Sequence, residues 1–208
     1  MLILTGPQGA GNHLWSKIFS LHPEVYGWKS LLDNYWEAHR FSEPFAKHWR
    51  DYSLLNSFDW AQSEYYFTSI SCPLGIFGSD TNPIWNPDVE GFARTVLNCG
   101  VDVEIAVVGR DQNILNYQQN RIRTQSTLPL FLEQLNKIHN PVFLSYELLY
   151  LYKQEYLKSL KLSIPIAWDD LRINEILSDD ANKKYVHNVT YNELDLGNKT
   201  GKTFKLRP

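Results

Sequence analysis

The segment best composed for chemistry is Gly6-Pro7-Gln8-Gly9-Ala10-Gly11-Asn12-His13. Three glycines within six residues let a backbone turn so that several N–H groups face one point, and a helix starting directly after the turn adds positive potential. A phosphate or similar oxyanion is favoured there. A tight strand-to-helix turn without a ligand is the plain alternative. The spacing between Gly6 and Gly11 fits G-x-x-x-x-G, yet Asn12 and His13 stand where a Walker-type nucleotidase carries Lys and Ser or Thr. Phosphoryl transfer from a magnesium-bound triphosphate uses that lysine against the charge of the outer phosphates and that hydroxyl to hold the metal. An ordinary ATP or GTP hydrolase or kinase is therefore disfavoured. A nucleotide or small-molecule kinase with a degenerate loop stays open as a rival, on the spacing alone. A donor with fewer clustered charges and no obligatory magnesium suits this loop better.

A second constellation begins at Arg110-Asp111-Gln112, directly after the apolar run 103–108, and continues through Asn116, Gln118, Arg121 and Arg123. An arginine at the carboxyl edge of a parallel sheet points where ligands usually bind, and its planar fork suits phosphate. The plain alternative is structural: Arg110 as a cap, the other two arginines paired with surface acids.

The elements that must position these groups can be read from hydrophobic period. Residues 1–5 (MLILT) form a short apolar strand that stops at the glycine loop, and Leu14, Ile18 and Leu21 then fall at helical spacing. Residues 25–27 read as a brief strand, 30–41 as an aromatic helical segment, and 43–65 as short helices and loops. Residues 74–79 (LGIFGS) read as a buried strand. A helix opened by Pro87 and Asp88 runs to about residue 98 and ends at Gly100. Then come a strand over 103–108, helices over 113–123 and 128–138, a strand over 142–145, and a helix over 147–160. Strands separated by helices predict an α/β fold with a central parallel sheet flanked by helices, three-layered and P-loop-like, in a single domain over 1–208. No repeat or low-complexity segment breaks the pattern. After Ile166 the chain turns polar and irregular. Lys199, Lys202, Lys205 and Arg207 make a basic tail, solvated or folded over an anionic ligand.

Composition narrows the function classes. With 43% hydrophobic and 21% charged residues over 208 positions, disorder and fibrous architectures are excluded. The net charge of -3 gives no global basic field, so no nucleic-acid partner is expected. Cys72 and Cys99 lack C-x-x-C spacing or a Cys/His cluster, which predicts no metal site and a reducing compartment. No apolar run reaches the roughly 18 residues that span a bilayer, and no secretory leader pattern opens the chain, so a cytoplasmic location is expected. The Asn188-Val189-Thr190 and Asn198-Lys199-Thr200 triplets match a glycosylation acceptor pattern that arises often by chance.

GPQGAGNHLW followed by LHPEV, then VVGRDQNILNYQQ and FLSYELL, taken in order, resemble the sulfotransferase superfamily, which uses 3'-phosphoadenosine 5'-phosphosulfate (PAPS). The likeness covers about the first 160 residues and rests on the order of its motifs. It implies that Gly6 through His13 binds the 5'-phosphosulfate and that Arg110 binds the 3'-phosphate. Ungapped counting puts Gln118 at the family's serine; Asn116 fits only after a deletion. Ser145-Tyr146-Glu147-Leu148-Leu149 corresponds to the family's third signature. The resemblance also implies direct sulfuryl transfer without metal, leaving adenosine 3',5'-bisphosphate.

The chain departs from the family where charge matters. The loop lacks its usual Lys or Arg, the cation that offsets charge on the leaving phosphate oxygen. Lys17 or Lys29 could reach in, or Gln8 and the loop amides could serve instead. A non-catalytic relative that binds PAPS or its product is a third reading. An acceptor hydroxyl or amine also needs a general base. His13 beside the expected sulfate, Asp80 after the strand 74–79 and His22 are the candidates, His22 before Pro23 having a structural reading as well. Trp15 should pack on the sheet, while Trp28, Trp36, Trp49, Trp60 and Trp85 either line an acceptor cleft or fill a lobe. The acceptor expected is a small molecule or a glycan.

Overall fold

A computed structural model describes residues 1–75, 79–81, 83–123 and 125–178, with backbone alone for 121–123. The N-terminal apolar run forms β1 (Leu2–Gly6), buried throughout. A strand apolar at consecutive positions needs cover on both faces. Leu2 and Leu4 pack with Trp15, Ile18 and Phe19 of α1 (Asn12–Ser20) on one face, and Ile3 packs in the cluster of Trp49 and Phe92 on the other. Each such large side chain contributes about 2 kcal/mol by leaving water. After β2 (Val25–Tyr26) come α2 (His39–Ser42), β3 (Tyr65–Ser71), α3 (Val89–Asn98), β4 (Glu104–Gly109), α4 (Gln112–Arg123), α5 (Leu128–Leu135), β5 (Val142–Ser145), α6 (Tyr146–Ser159) and α7 (Arg172–Ser178).

The five strands run parallel in the order β2-β3-β1-β4-β5. Leu149 and Leu157 of α6 and Ile173 and Leu177 of α7 join the α1 face; Phe92 and Val96 of α3 and Phe131 of α5 cover the opposite one. The three-layer α/β arrangement expected from the alternation of strands and helices is therefore present. Because β1 lies between β3 and β4, the chain crosses over β1 to start the second half of the sheet. A crevice opens outside the carboxyl ends of strands at such a reversal. The loops after β1 and after β4 both leave from that edge.

Three expectations need correction. The strand expected over 74–79 does not form in its described part: Leu74 makes one antiparallel bridge with Trp85, and Asp80 lies in an exposed bend. Residues 76–78 lie outside the described ones. The strand beside β1 is β3 instead, whose apolar pattern is broken by Thr68 and Ser69. Both are fully buried, and both have internal partners. Thr68 Oγ1 donates to Glu43 Oε1 at 2.7 Å and accepts from Trp49 Nε1 at 2.9 Å, while Ser69 Oγ accepts from Ser16 Oγ at 2.8 Å. Next, the helix expected over 30–41 is a 3-10 turn at Lys29–Asp33 followed by the short α2. Last, the stretch after Ile166, read as irregular, contains α7, which buries Ile173 and Leu177. Met1–Leu177 form one compact unit. The basic tail with Lys199, Lys202, Lys205 and Arg207 lies outside the described residues. Among those described, no helix is long and apolar enough to cross a membrane.

Candidate anion-binding site

The glycine loop is shaped by its backbone and tied down by amide side chains. Ala10 N donates to Pro7 O at 3.1 Å, closing a turn whose third residue, Gly9, has φ 87°. Gly11, directly before α1, has φ 107°. Both angles lie in the left-handed region that favours glycine. Asn12 Nδ2 donates to Gly6 O at 3.2 Å and to Ser71 Oγ at 2.8 Å, fixing the loop to the end of β3. Gln8 Nε2 donates to Gly75 O at 2.8 Å, and Gln8 O accepts from Gln119 Nε2 at 2.6 Å. The Gln8 amide is thus engaged in holding the segment after β3. No side chain caps α1, which leaves its first-turn amides for water or a ligand.

Three separated segments meet at this loop. Arg110 Nη1 donates to Gly9 O at 2.7 Å and to Gln118 Oε1 at 2.9 Å. The Arg110 guanidinium lies 4.5 Å from the centroid of the Tyr146 ring. That ring packs so closely on Gly11 that a Cβ there would stand 2.6 Å from it, and a Cβ on Gly9 would stand 3.0 Å from the Gln118 amide. Ser145 Oγ accepts from Leu148 N at 3.1 Å and caps α6, while Glu147 Oε1 accepts from Asp111 N at 2.8 Å. Each residue of the Ser145-Tyr146-Glu147 segment therefore has a mechanical task, and two of them lock the strand ends of β4 and β5 together.

Of the candidate residues, the structure brings Gly6, Pro7, Gln8, Gly9, Ala10, Gly11, Asn12, Arg110 and Gln118 into one cluster. His13 adjoins it in the first turn of α1, with its ring turned toward the segment 28–39. His13 Nε2 donates to Glu37 O at 2.6 Å, and the ring stacks 5.7 Å from Trp36 and meets His39 edge-on at 4.5 Å. The carbonyl fixes the tautomer, so Nδ1 is the accepting nitrogen. Burial lowers the pKa of His13 against the opposing pull of the Glu37 carbonyl, and burial drives His39 well below the usual histidine range. Both imidazoles are neutral at pH 7.

Lys29 is not brought to the loop. Lys29 Nζ donates to Ser20 O at 2.8 Å and His22 O at 2.6 Å, at the carboxyl end of α1, a helix length of about 13 Å from the glycines. Its amine meets the negative end of the helix, which is the favourable place for it. Asp80 lies in an exposed bend rather than at the end of a strand, the described part of 74–79 making only the Leu74–Trp85 bridge. Asn116 Oδ1 accepts from Ser126 Oγ at 3.2 Å. The side chains of Arg121 and Arg123 lie outside the described ones. Trp15, Trp28 and Trp49 are core, Trp60 packs against Phe58, and Trp36 is 61% exposed. Among the described residues no group of three or more His, Cys, Asp and Glu is arranged to hold a metal ion.

Two residues that sequence reasoning missed are Gln119, whose Oε1 also accepts from Thr127 N at 2.8 Å, and His39, whose Nε2 lies 3.1 Å from Ser69 Oγ. The doubled Gln118-Gln119 was a usable signal, because adjacent amides on a helix reach two different partners. No family model, no curated protein and no solved structure matches this chain.

Proposed function

We propose that this protein is a PAPS-dependent sulfotransferase that binds the nucleotide across the loop after β1 and the arginine after β4. The observation that carries the reading is the 2.7 Å contact of Arg110 Nη1 with Gly9 O, made across 101 residues of sequence. It sets a permanent cation beside an uncapped helix N-terminus, so two anionic groups on one ribose find complementary partners side by side. In the reaction the acceptor oxygen or nitrogen attacks sulfur, the bond from sulfur to the 5'-phosphate oxygen breaks, and the acceptor proton leaves to a base. His13 is the base this reading selects. Its ring is neutral, its accepting nitrogen is Nδ1, and the Glu37 carbonyl orients it as a base requires. Charge on the departing phosphate falls to the first-turn amides of α1 and to Arg110, since Lys29 is engaged at the far end of the helix.

The engagement of Lys29 also supports a second reading, a protein that binds PAPS or its product without turnover. One experiment separates these readings and the kinase rival. Adenosine 3',5'-bisphosphate is titrated calorimetrically in EDTA, ATP is titrated with and without magnesium, and release of bisphosphate from PAPS is followed over an acceptor panel. The proposal expects bisphosphate binding without metal together with acceptor-dependent release. Binding with no release favours the non-catalytic reading, magnesium-dependent ATP binding favours the kinase, and no bisphosphate binding at millimolar ligand removes the proposal.

A further inference from the structure

A second recess lies beyond α2. It is a cleft of about 310 Å³ whose wall includes Arg40, Phe41, Arg50, Leu74, Thr81 and Trp85. That volume is at the small end for ligand sites and suits a molecule of one or two rings. The wall is one-sided in charge: two arginines enter it and no described wall residue is acidic. Each guanidinium rests against a ring, Arg40 at 4.4 Å from the centroid of Phe41 and Arg50 at 5.3 Å from that of Trp85. Ring stacking fixes the plane of a guanidinium and leaves its in-plane donors uncovered by the ring. Arg40 Nη1 reaches Thr81 O at 3.1 Å and so ties α2 to the segment after β3. The Arg50 side chain makes no ion pair or hydrogen bond with any described residue. Phe41 is 75% exposed, an apolar surface that a ligand's body would cover.

The cleft adjoins the glycine loop along two paths. Leu74 precedes Gly75, whose carbonyl holds Gln8, and Arg40 follows His39, whose ring meets His13 at 4.5 Å. We propose that this cleft binds a flat organic oxyanion, a carboxylate, sulfonate or phosphate carried on a planar apolar body. Its role as the acceptor site rests on the sulfuryl-transfer reading. In that role it selects acceptors that already bear a negative charge, which the paired arginines read while Trp85 and Phe41 hold the ring.

The test titrates the full chain with 2-naphthoate, 2-naphthalenesulfonate and the neutral 2-naphthamide, in wild type, Arg50→Gln and Arg40→Gln, with adenosine 3',5'-bisphosphate run on the same preparations. Both anions should bind about tenfold or more tightly than the amide, a difference of the size that charge-assisted contacts give. Arg50→Gln should remove most of that preference and leave amide and bisphosphate affinities unchanged. Arg50 is on the surface, so the variant is expected to fold, and its melting curve checks this. Equal binding of anion and amide overturns the cleft assignment, as does an unaltered preference in both variants. Displacement of naphthoate by bisphosphate also overturns it, because one shared site would explain both. Anion-selective binding in a chain that ignores the bisphosphate keeps the cleft and removes its role as acceptor site.

Discussion

Glu43→Gln should change how stability depends on pH, and the size of the change follows from where the carboxyl sits. β2 pairs with β3 no further than Tyr66, so the outer edge of β3 lies open beyond it. The Glu43 side chain closes that edge: Oε1 accepts from Thr68 Oγ1 at 2.7 Å and Ser69 N at 3.3 Å, and Oε2 accepts from Phe45 N at 2.8 Å. Burial nonetheless outweighs these donors and pushes the carboxyl from 4.5 up to about 8. Between those values the unfolded chain has released the proton that the folded chain keeps, so stability falls as pH rises, by about 1.4 kcal/mol per pH unit. From pH 5 to 7.5 the loss is about 3 kcal/mol. His39 and His13 act with the opposite sign. Their folded pKa values are depressed, so the unfolded chain binds more protons and stability rises with pH until about 6.5, where unfolded histidine has lost its proton. The wild-type curve is therefore flattened below pH 6.5 and falls between 6.5 and 8. Glutamine keeps the shape but has one accepting oxygen, at a pH-independent cost of about 1–2 kcal/mol. Urea unfolding of both proteins at pH 5, 6, 7 and 8 isolates Glu43 in their difference, which should move by about 3 kcal/mol across the range and change sign, wild type being the more stable at pH 5 and Glu43→Gln at pH 8. Parallel curves would instead mean that the Glu43 carboxyl is already ionised in the fold at neutral pH, against its burial.

Further outcomes follow from the loop and its helix. Gly11→Ala forces a side chain to φ 107° and against the Tyr146 ring, costing about 2–4 kcal/mol in thermal or urea unfolding; the cost should be smaller in a Tyr146→Ala background, and an equal cost in both refutes the contact. Lys29→Met should lose about 0.5–1 kcal/mol of stability, from the carboxyl end of α1, with bisphosphate affinity unchanged. Loss of bisphosphate binding in a folded Lys29→Met protein contradicts that placement. His13→Gln should lower kcat about a hundredfold while keeping bisphosphate affinity within about twofold; an unchanged kcat removes His13 as the base.

The strand ends were readable where local signals agree. β1, β4 and β5 are short apolar runs followed by Gly-rich, Arg-Asp or Ser-Tyr-Glu breaks, and all three lie within a residue of the expected bounds. β3 was missed because its polar side chains find partners far off in sequence. Ser69 with Ser16 and Thr68 with Glu43 are contacts that no window of the chain displays. The apolar run 74–79 makes only a single bridge in its described part, and Asp80, expected at its end, lies in an exposed bend. The convergence of the glycine loop, Arg110 and Tyr146 was foreseeable from a parallel sheet, whose strand ends share an edge. The positions of Lys29 and of the His13 ring were not. They depend on how the segment 28–42 folds back over α1, held by Glu37 through Trp28 Nε1 at 2.9 Å and Asn34 Nδ2 at 2.7 Å.

The central claim is that Arg110 and the β1 loop grip two anionic groups of one nucleotide. Its most direct test is calorimetric titration of wild type and Arg110→Ala with adenosine 3',5'-bisphosphate and with adenosine 5'-monophosphate, which lacks the 3'-phosphate. Wild type should prefer the bisphosphate, and Arg110→Ala should lose about tenfold or more of that affinity while its affinity for the monophosphate changes little. Equal losses for both ligands, or a wild type that binds neither, contradict it.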